Sequence, residues 1–497
     1  MLHSEGKRRL GILTPTRPPL ELAKDAARAL DEAGARARFE LAPRDHALKT
    51  TVSLCPECLA HVPAVVFVRD RRVLVRKACT LHGSSDAVLE NDERFYFLSN
   101  KDRAGNVFAR ERMFDIPSFP SALQDAACCE EGTTCDGTDQ LGNKTCTILV
   151  EVTDACNLAC PVCYSDAKGD KKLPRAQFEK YLDDLATKKG GLDSIQLTGG
   201  EAMLHPEFWE MLDFVCSHPK IKKVYLPTNG LLVAKGDAAA RLARHKAKLM
   251  VLLQFDGMSD KADRELRAAT PARVRREVVT KLGELGVFMQ LTMTLARRVN
   301  DREVGDVIEL ALRHEHVKVV ALQPATYSGR YDLEPSPMDR LTLSDVVKAV
   351  AKQTRRRAKE ADFVPIPCSH PNCGWITLFL RRFGLVGNVV RFVDMPKVID
   401  NVAYRTLLST DELKDAVGTK GGSVVKRAVG RLAKGLVRSQ DMFTVAIKPF
   451  MDRHSYDQDR VDNCCHHLLD TKGNARSFCE YNAILRQQDS WASMPSL

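Results

Sequence analysis

The stretch Val152-Thr-Asp-Ala-Cys156-Asn-Leu-Ala-Cys160-Pro-Val-Cys163-Tyr164 carries three cysteines in a C-x3-C-x2-C spacing, directly after an apolar, strand-like run. Cysteine thiolates on a short loop are typical ligands of iron–sulfur clusters. A four-iron cluster takes four ligands and this loop offers three, so one iron keeps an open coordination position, as catalytic metal sites do. The spacing predicts a reactive cluster, with a zinc or purely structural site as the alternative.

The composition favours a metal-binding protein of a reducing compartment. The chain has 497 residues, 44% of them hydrophobic, and 16 cysteines; this length allows about two to four domains. No apolar run is long enough to span a bilayer, and the N-terminal residues lack the apolar core of a signal peptide. We therefore expect a cytoplasmic protein whose cysteines bind metals rather than form disulfides.

The charge and aromatic content bear on nucleic acid as a partner. A net charge of +10 permits an acidic partner without identifying one. A nucleic-acid-binding zinc protein would need a basic face with interleaved aromatics, and aromatic residues make up only 6% of the chain. No nucleic-acid partner is expected.

A first additional cysteine group lies near the N-terminus. Cys55 and Cys58 form a C-x2-C knuckle, and Cys79 and His82 follow after a predicted β-hairpin over residues 64–75. Three thiolates and an imidazole suit a tetrahedral, rubredoxin-like site for one iron or zinc ion. In the alternative, His82 caps a turn and a distant cysteine completes the site.

The remaining cysteines form two further groups, apart from Cys216, which a buried helix face explains. Each group could supply four thiolates, so one or two auxiliary iron–sulfur clusters are predicted, with free thiols as the alternative. Adjacent cysteines seldom both bind one metal. We therefore expect one cysteine of each adjacent pair to serve elsewhere or to be free. The groups are Cys128, Cys129, Cys135 and Cys146, and Cys368, Cys373, Cys464, Cys465 and Cys479.

Alternating strand-like and helix-like segments predict an α/β fold built on a parallel sheet. Six predicted strands cover residues 147–152, 194–198, 223–227, 249–255, 287–293 and 317–323. Helices are predicted between them, for example over residues 175–188 and 206–218. Six such repeats suggest a partial (β/α)6 barrel. The predicted domains are an N-terminal segment (1–49), a rubredoxin-like or zinc-knuckle module (50–115), an auxiliary-cluster loop (116–150), the barrel (151–345) and a C-terminal cysteine-rich extension (346–497).

Polar residues follow the predicted strands at the end where barrels place ligand groups. Each tip alone could be an ordinary turn, but their occurrence at successive strand ends favours a binding site. The candidates are Gly199, Gly200 and Glu201 after the second strand, Thr228 and Asn229 after the third, Gln254 and Asp256 after the fourth, and Gln323 after the sixth.

The cysteine loop followed by Gly199-Gly200-Glu201 resembles the radical S-adenosylmethionine (SAM) superfamily. The resemblance implies a [4Fe-4S] cluster on Cys156, Cys160 and Cys163, with SAM on the open iron and its ammonium held by the Gly-Gly-Glu segment. It also implies a 5′-deoxyadenosyl radical as the reactive species. A strong reductant is needed, so an electron donor such as ferredoxin or flavodoxin is expected.

The order of the cysteine motifs is similar to the radical SAM group that contains tetraether-lipid synthases and the methylase of methanopterin biosynthesis. The likeness covers about residues 50–486, including Pro367-Cys368-Ser-His-Pro-Asn-Cys373 and Ser477-Phe-Cys479-Glu-Tyr-Asn482. The chain departs from this group at Cys128, Cys129 and Cys135, where a compact C-x3-C-x2-C-x2-H is common.

These likenesses imply a transferase-type enzyme. The first choice of reaction is carbon–carbon bond formation on lipid alkyl chains, and the alternative is methylation of a pterin-like small molecule. From another class, a non-catalytic iron–sulfur electron carrier stays open. A basic amphipathic pattern over residues 420–438 predicts a helix that either contacts an anionic membrane at its inner face or packs on the barrel.

Overall fold

The computed structural model describes residues 19–98, 145–268, 272–333, 336–366, 369–382, 384–392 and 441–497. Cys128, Cys129, Cys135, Cys368 and the basic stretch 420–438 lie outside the described residues. Within the described ranges, no helix has both the length and the apolarity needed to cross a bilayer.

An antiparallel sheet forms the N-terminal module. Its strands are β1 (His46–Leu54), β2 (His61–Arg69), β3 (Arg72–Cys79) and β4 (Gly83–Glu90), in that order across the sheet. The predicted hairpin is confirmed, with Asp70 and Arg71 at positive φ in its two-residue turn. The preceding helices α1 (Pro19–Arg28) and α2 (Glu32–Arg38) belong to the same module, because Ala27 of α1 packs against Val52 and Ala35 of α2 against Val65 and Phe67. The boundary predicted at residue 49 therefore falls inside β1.

All six predicted barrel strands are present, parallel and adjacent in sequence order. They are β5 (Thr147–Glu151), β7 (Leu192–Thr198), β8 (Ile221–Thr228), β9 (Leu249–Gln254), β10 (Phe288–Leu295) and β11 (Val317–Pro324). Two short strands, β6 (Val162–Cys163) and β12 (Arg330–Tyr331), pair with each other beside the cysteine loop. The apolar side chains of the six barrel strands and of the intervening helices form one continuous core.

The helices between the strands include both that the sequence predicted, over 175–188 and 206–218. The helices of this region and of the C-terminus are α3 (Arg175–Lys189), α4 (Phe208–Ser217), α5 (Ala238–Ala243), α6 (Asp260–Arg267), α7 (Ala272–Glu284), α8 (Val304–Arg313), α9 (Leu343–Gln353), α10 (Gln458–Asp462) and α11 (Phe478–Glu480).

The C-terminal extension completes the barrel sheet instead of forming a unit apart. Two of its strands, β16 (Met442–Ile447) and β17 (His466–Leu469), pair in parallel with β11 and β5, the two edges of the six-stranded run. Edge strands carry unpaired backbone groups, which these pairings satisfy. The remaining strands of the sheet are antiparallel: β13 (Val364–Pro365), β14 (Trp375–Arg382), β15 (Leu385–Asn388) and β18 (Ala475–Ser477).

The two outermost parallel strands approach each other across the barrel opening. The ring of Phe450, just beyond β16, lies 6.2 Å from the ring of His466 in β17, centroid to centroid. These strands stand at opposite ends of the parallel run. The sheet therefore curls until the segment between β16 and β17 bridges its two ends.

This bridging segment is anchored to the N-terminal module by a buried ion-pair network. Lys49 Nζ of β1 lies 2.8 Å from Asp457 Oδ2 and 2.9 Å from Asp459 Oδ2. Thr51 Oγ1 donates to Asp457 Oδ1 at 2.7 Å. Burial alone would favour a neutral amine, but the two carboxylates hold the pKa of Lys49 well above its usual value. The module thus fixes the position of the bridge.

Replacing Lys49 tests this anchor. Lys49→Met leaves two buried carboxylates without their cation, and breaking a buried pair in this way costs about 3–5 kcal/mol. We expect the free energy of urea unfolding to fall by that amount in anaerobic protein. Lys222→Met, which removes an exposed ion pair with Asp193, should change it by less than about 0.5 kcal/mol. Equal effects of the two substitutions would contradict the anchoring role.

Candidate active site and metal centres

A cavity of about 420 Å³ opens at the C-terminal ends of the parallel strands. It brings together every predicted residue of the cluster and nucleotide site except Asp256: Cys156, Cys160, Cys163, Gly199, Gly200, Glu201, Thr228, Asn229, Gln254 and Gln323. The polar residues at the ends of successive strands thus line one cavity, as expected from their joint occurrence in the sequence.

The two glycines let the end of β7 touch the segment that leads into the cysteine loop. A Cβ on Gly199 would lie 2.2 Å from the Thr153 carbonyl oxygen, and one on Gly200 would lie 2.1 Å from that of Ala155. In their place, Gly200 N and Glu201 N donate to these carbonyls at 2.8 Å. Any larger side chain would push the cysteine loop away from Glu201.

Only one of the two carboxylate oxygens of the buried Glu201 accepts hydrogen bonds within the described part of the chain. Its Oε2 accepts hydrogen bonds from Thr228 Oγ1 and Asn229 N, both at 3.0 Å. Its Oε1 is buried and has no hydrogen-bond partner within the described part of the chain. Burial raises the pKa of this carboxyl to about 7. An orphaned buried acceptor is costly, so the geometry fits a cationic donor, such as an ammonium, in the cavity.

Asp256 supports the cysteine loop and does not contact the cavity, so its prediction as a nucleotide contact is corrected. Arg267 Nε donates to Asp256 Oδ2 at 2.7 Å, and Gln254 Nε2 donates to Oδ1 at 2.7 Å. Burial favours the neutral acid, but the charge of Arg267 outweighs it and holds the pKa of Asp256 below its usual value. Arg267 Nη1 also donates to the Val162 carbonyl at 3.0 Å, which ties the loop to this pair.

The C-terminal extension contributes cavity residues that the sequence did not predict as site residues. They are Lys448, Phe450, His466, Phe478, Asn482 and Arg486. The usable signal was the short apolar run at 442–447 followed at once by Lys448, which repeats the pattern of a strand with a polar tip. Without knowledge of the partner of that strand, the run could not be placed beside β11.

Cys464 and Cys465 face different partners, as expected for adjacent cysteines. Cys465 packs with the buried Cys146. Cys464 lies close enough to Cys373 and Cys479 for their charges to interact, and Arg460 Nε donates to Cys373 Sγ at 3.4 Å. Cys465 is therefore separate from the other described members of its predicted group. Those members are Cys373, Cys464 and Cys479, and we call them the C-terminal thiol set.

An auxiliary iron–sulfur cluster on the C-terminal thiol set stays a prediction. Burial raises the pKa of Cys464 to about 11 and that of Cys479 to about 12, which favours neutral thiols when no metal is bound. A bound metal takes cysteines as thiolates, and the partly buried Arg460 guanidinium beside Cys373 would offer such thiolates a compensating charge.

The N-terminal knuckles meet in a compact four-ligand arrangement. The ligand atoms of Cys55, Cys58, Cys79 and His82 all lie within 4.8 Å of one another. His82 Nδ1 is 3.5 Å from Cys55 Sγ and 3.6 Å from Cys79 Sγ, and the sulfurs of Cys58 and Cys79 are 3.9 Å apart. These separations suit a tetrahedron around an ion at about 2.0–2.3 Å from each ligand. The alternative, in which His82 only caps a turn, is not favoured.

Metal content tests the role of His82. His82→Ala in the full chain should lower the zinc or iron bound by the N-terminal module, because three thiolates leave the tetrahedron incomplete. His46→Ala, an exposed histidine of β1, is the matched control and should keep the full content. Elemental analysis of both variants measures the bound metal. Unchanged metal content in His82→Ala would show that His82 is not a ligand.

Two family descriptions match the chain. The Radical SAM superfamily matches residues 150–311, and the HMPTM N-terminal zinc ribbon domain matches residues 47–91. The first range contains the cysteine loop and most of the barrel strands. The second coincides with the N-terminal sheet and contains its four candidate metal ligands.

The chain is similar along most of its length to the 7,8-dihydro-6-hydroxymethylpterin dimethyltransferase of Methanocaldococcus jannaschii, which is 26% identical over 88% of this chain and 94% of its own length. The GTP 3′,8-cyclase of Chlorobaculum tepidum is 28% identical over 38% of this chain and 56% of its own length. Among solved structures, Streptococcus suis SuiB bound to S-adenosylmethionine is 14% identical, with a TM-score of 0.38 over 59% of this chain and 69% of that one. The chain therefore carries a radical SAM domain over residues 150–311 and is a radical SAM enzyme related to the pterin dimethyltransferase.

Proposed function

We propose that this protein is a radical SAM enzyme that methylates a pterin-like ring. The observation that carries the proposal is the alignment of 88% of the chain with a pterin dimethyltransferase. An alignment of that length has to include part of the C-terminal extension as well as the barrel, and the extension supplies one side of the cavity. The proposal replaces lipid carbon–carbon coupling, the first choice from the sequence, which stays an untested prediction.

Polar side chains within the largely apolar lining of the cavity support a substrate that can hydrogen-bond over a plain alkyl chain. Gln196, Gln290, Gln323 and Lys448 all line it. Amide and ammonium groups at such a site orient a ligand that can hydrogen-bond. Gln290 Nε2 already donates to Thr292 Oγ1 at 3.0 Å, but an alkyl chain would offer no partner to Gln196, Gln323 or Lys448, which is unfavourable in a buried site.

In this proposal the chain's own residues hold and orient the nucleotide. Cys156, Cys160 and Cys163 would bind the cluster, and a four-iron cluster with SAM on its open iron would supply reductive cleavage of SAM to a carbon-centred radical. Glu201 Oε1 would accept from the SAM ammonium, while Thr228 and Asn229 fix the carboxylate through its other oxygen. Arg267 keeps the cysteine loop in place through Val162.

The other metal sites and partners follow from the same chemistry. We assign a mononuclear zinc or iron ion to Cys55, Cys58, Cys79 and His82, and an auxiliary cluster to the C-terminal thiol set. Since reductive cleavage consumes an electron, a donor such as ferredoxin or flavodoxin is required. Contact with a membrane would depend on residues 420–438, which lie outside the described residues.

Product analysis in cells tests the proposed reaction. The chain is expressed in a bacterium that makes 6-hydroxymethyl-7,8-dihydropterin, and the extracted pterins are analysed by mass spectrometry. We expect pterins heavier by one or two methylene units, because each methylation replaces a hydrogen by a methyl group. Glu201→Gln should abolish them, since the cavity loses its anionic acceptor.

The matched control is Glu210→Gln, which changes an exposed carboxyl on the outer side of the barrel and should leave methylated pterins at the level of the unaltered chain. Absence of heavier pterins with the unaltered chain, in cells where the iron-loaded protein is recovered, would contradict pterin methylation.

A further inference from the structure

Four aromatic rings from separate parts of the chain form one side of the cavity. Tyr164, Phe450, His466 and Phe478 all line it, and we call them the aromatic wall. Ring centroids of Tyr164 and Phe450 lie 5.5 Å apart, those of Tyr164 and Phe478 5.6 Å, and those of Phe450 and Phe478 4.8 Å. His466 completes the wall at 5.4 Å from Phe478. Such spacings are those of packed aromatic pairs.

The aromatic wall lies directly beside the cysteine loop. Tyr164 follows Cys163 in the chain. The loop after β11 also touches this point, because a Cβ on Gly329 would lie 2.3 Å from the carbonyl oxygens of both Cys163 and Tyr164. A ligand against the wall would therefore sit next to the segment that we assign to the cluster.

Polar groups without partners surround the aromatic wall. Ser328, next to Gly329, is 2% exposed and lines the cavity, yet its hydroxyl makes no hydrogen bond in the described part of the chain. Lys448, two residues before Phe450, also lines the cavity and has no acidic partner among the described residues. The other cations on the lining are paired: Arg267 with Asp256 and Arg486 with Glu151.

Phe478 belongs to a buried hydrophobic cluster against which Tyr164 and Phe450 pack, but this packing leaves part of the ring surface uncovered. Phe478 is buried, but Phe450 and His466 are only partly covered, and a buried hydroxyl without a partner is unfavourable unless a ligand meets it. Aromatic faces stack planar heterocycles, and a hydroxyl with an ammonium can meet ring carbonyl and nitrogen atoms.

We propose that the aromatic wall is the platform on which a planar heteroaromatic substrate stacks, with Ser328 and Lys448 contacting its polar edge. This inference rests on the proposed function, because it assigns the substrate ring of that reaction to particular residues. It also names the substrate class by chemistry: a flat, hydrogen-bonding heterocycle and not an alkyl chain. Phe450 and Phe478 would then decide affinity for the ring, and Ser328 and Lys448 its orientation.

Equilibrium binding to the iron-loaded enzyme, in the presence of SAM and without reductant, tests the platform. The probes are 6-hydroxymethylpterin and guanosine as flat heterocycles, and a fluorescent fatty acid as an alkyl chain. Phe450→Leu should weaken heterocycle binding at least tenfold, and Ser328→Ala should weaken it severalfold. Phe214→Leu, at a partly buried phenylalanine on α4 outside this cavity, is the matched control and should stay within twofold of the unaltered chain. Iron content and SAM affinity should be unchanged in all three variants.

The outcomes separate the platform from the pterin reaction. Pterin binding that is the same in Phe450→Leu and Phe214→Leu overturns the platform and leaves pterin methylation standing. Binding of guanosine but not pterin, weakened by Phe450→Leu, supports the platform and contradicts the pterin as substrate. Binding of the fatty acid with no binding of either heterocycle overturns the platform.

Discussion

The site depends on the pairing of two late strands with the two edges of the barrel sheet. Six parallel strands alone leave β5 and β11 with unpaired backbone groups. Strands β17 and β16 satisfy these groups, and the segment between them then has to cross the mouth of the barrel. That crossing brings Lys448, Phe450 and His466 to the cavity that holds Cys156, Cys160 and Cys163. Neither half of the cavity is complete without it.

Buried ion pairs fix the crossing segment in one position. Arg340 Nη2 lies 2.6 Å from Asp452 Oδ2, and Tyr327 N donates to the same oxygen at 2.9 Å. Further along, Asp457 and Asp459 meet Lys49 of the N-terminal module. Buried pairs contribute little net stability compared with apolar packing, and the best-attested benefit of such pairs is a defined register. We interpret these contacts as what holds the aromatic wall against the cysteine loop.

Features that depend on neighbouring residues in the chain could be predicted from the sequence, and features that depend on contacts between distant segments could not. The six strands and the tips around Glu201 are local patterns, so they were predictable, and so was the proximity of Cys55, Cys58, Cys79 and His82. The places of β16 and β17 depend on pairings with strands far away in the chain. Asp256 has a strand-tip position like that of Glu201, and only the neighbouring Arg267 shows that it supports the loop. Likewise, no spacing rule could say which of Cys464 and Cys465 turns toward Cys479.

The central claim is that the three-cysteine loop and Glu201 form one nucleotide site, in which an iron lacks a protein ligand and SAM completes it. Electron–nuclear double resonance of the reduced, iron-loaded protein tests this most directly, using SAM labelled with nitrogen-15 at its amino group. The account predicts a nitrogen-15 coupling from the cluster that appears with the unaltered chain and is lost in Cys160→Ser. A reduced cluster whose spectrum is the same with and without labelled SAM would contradict it.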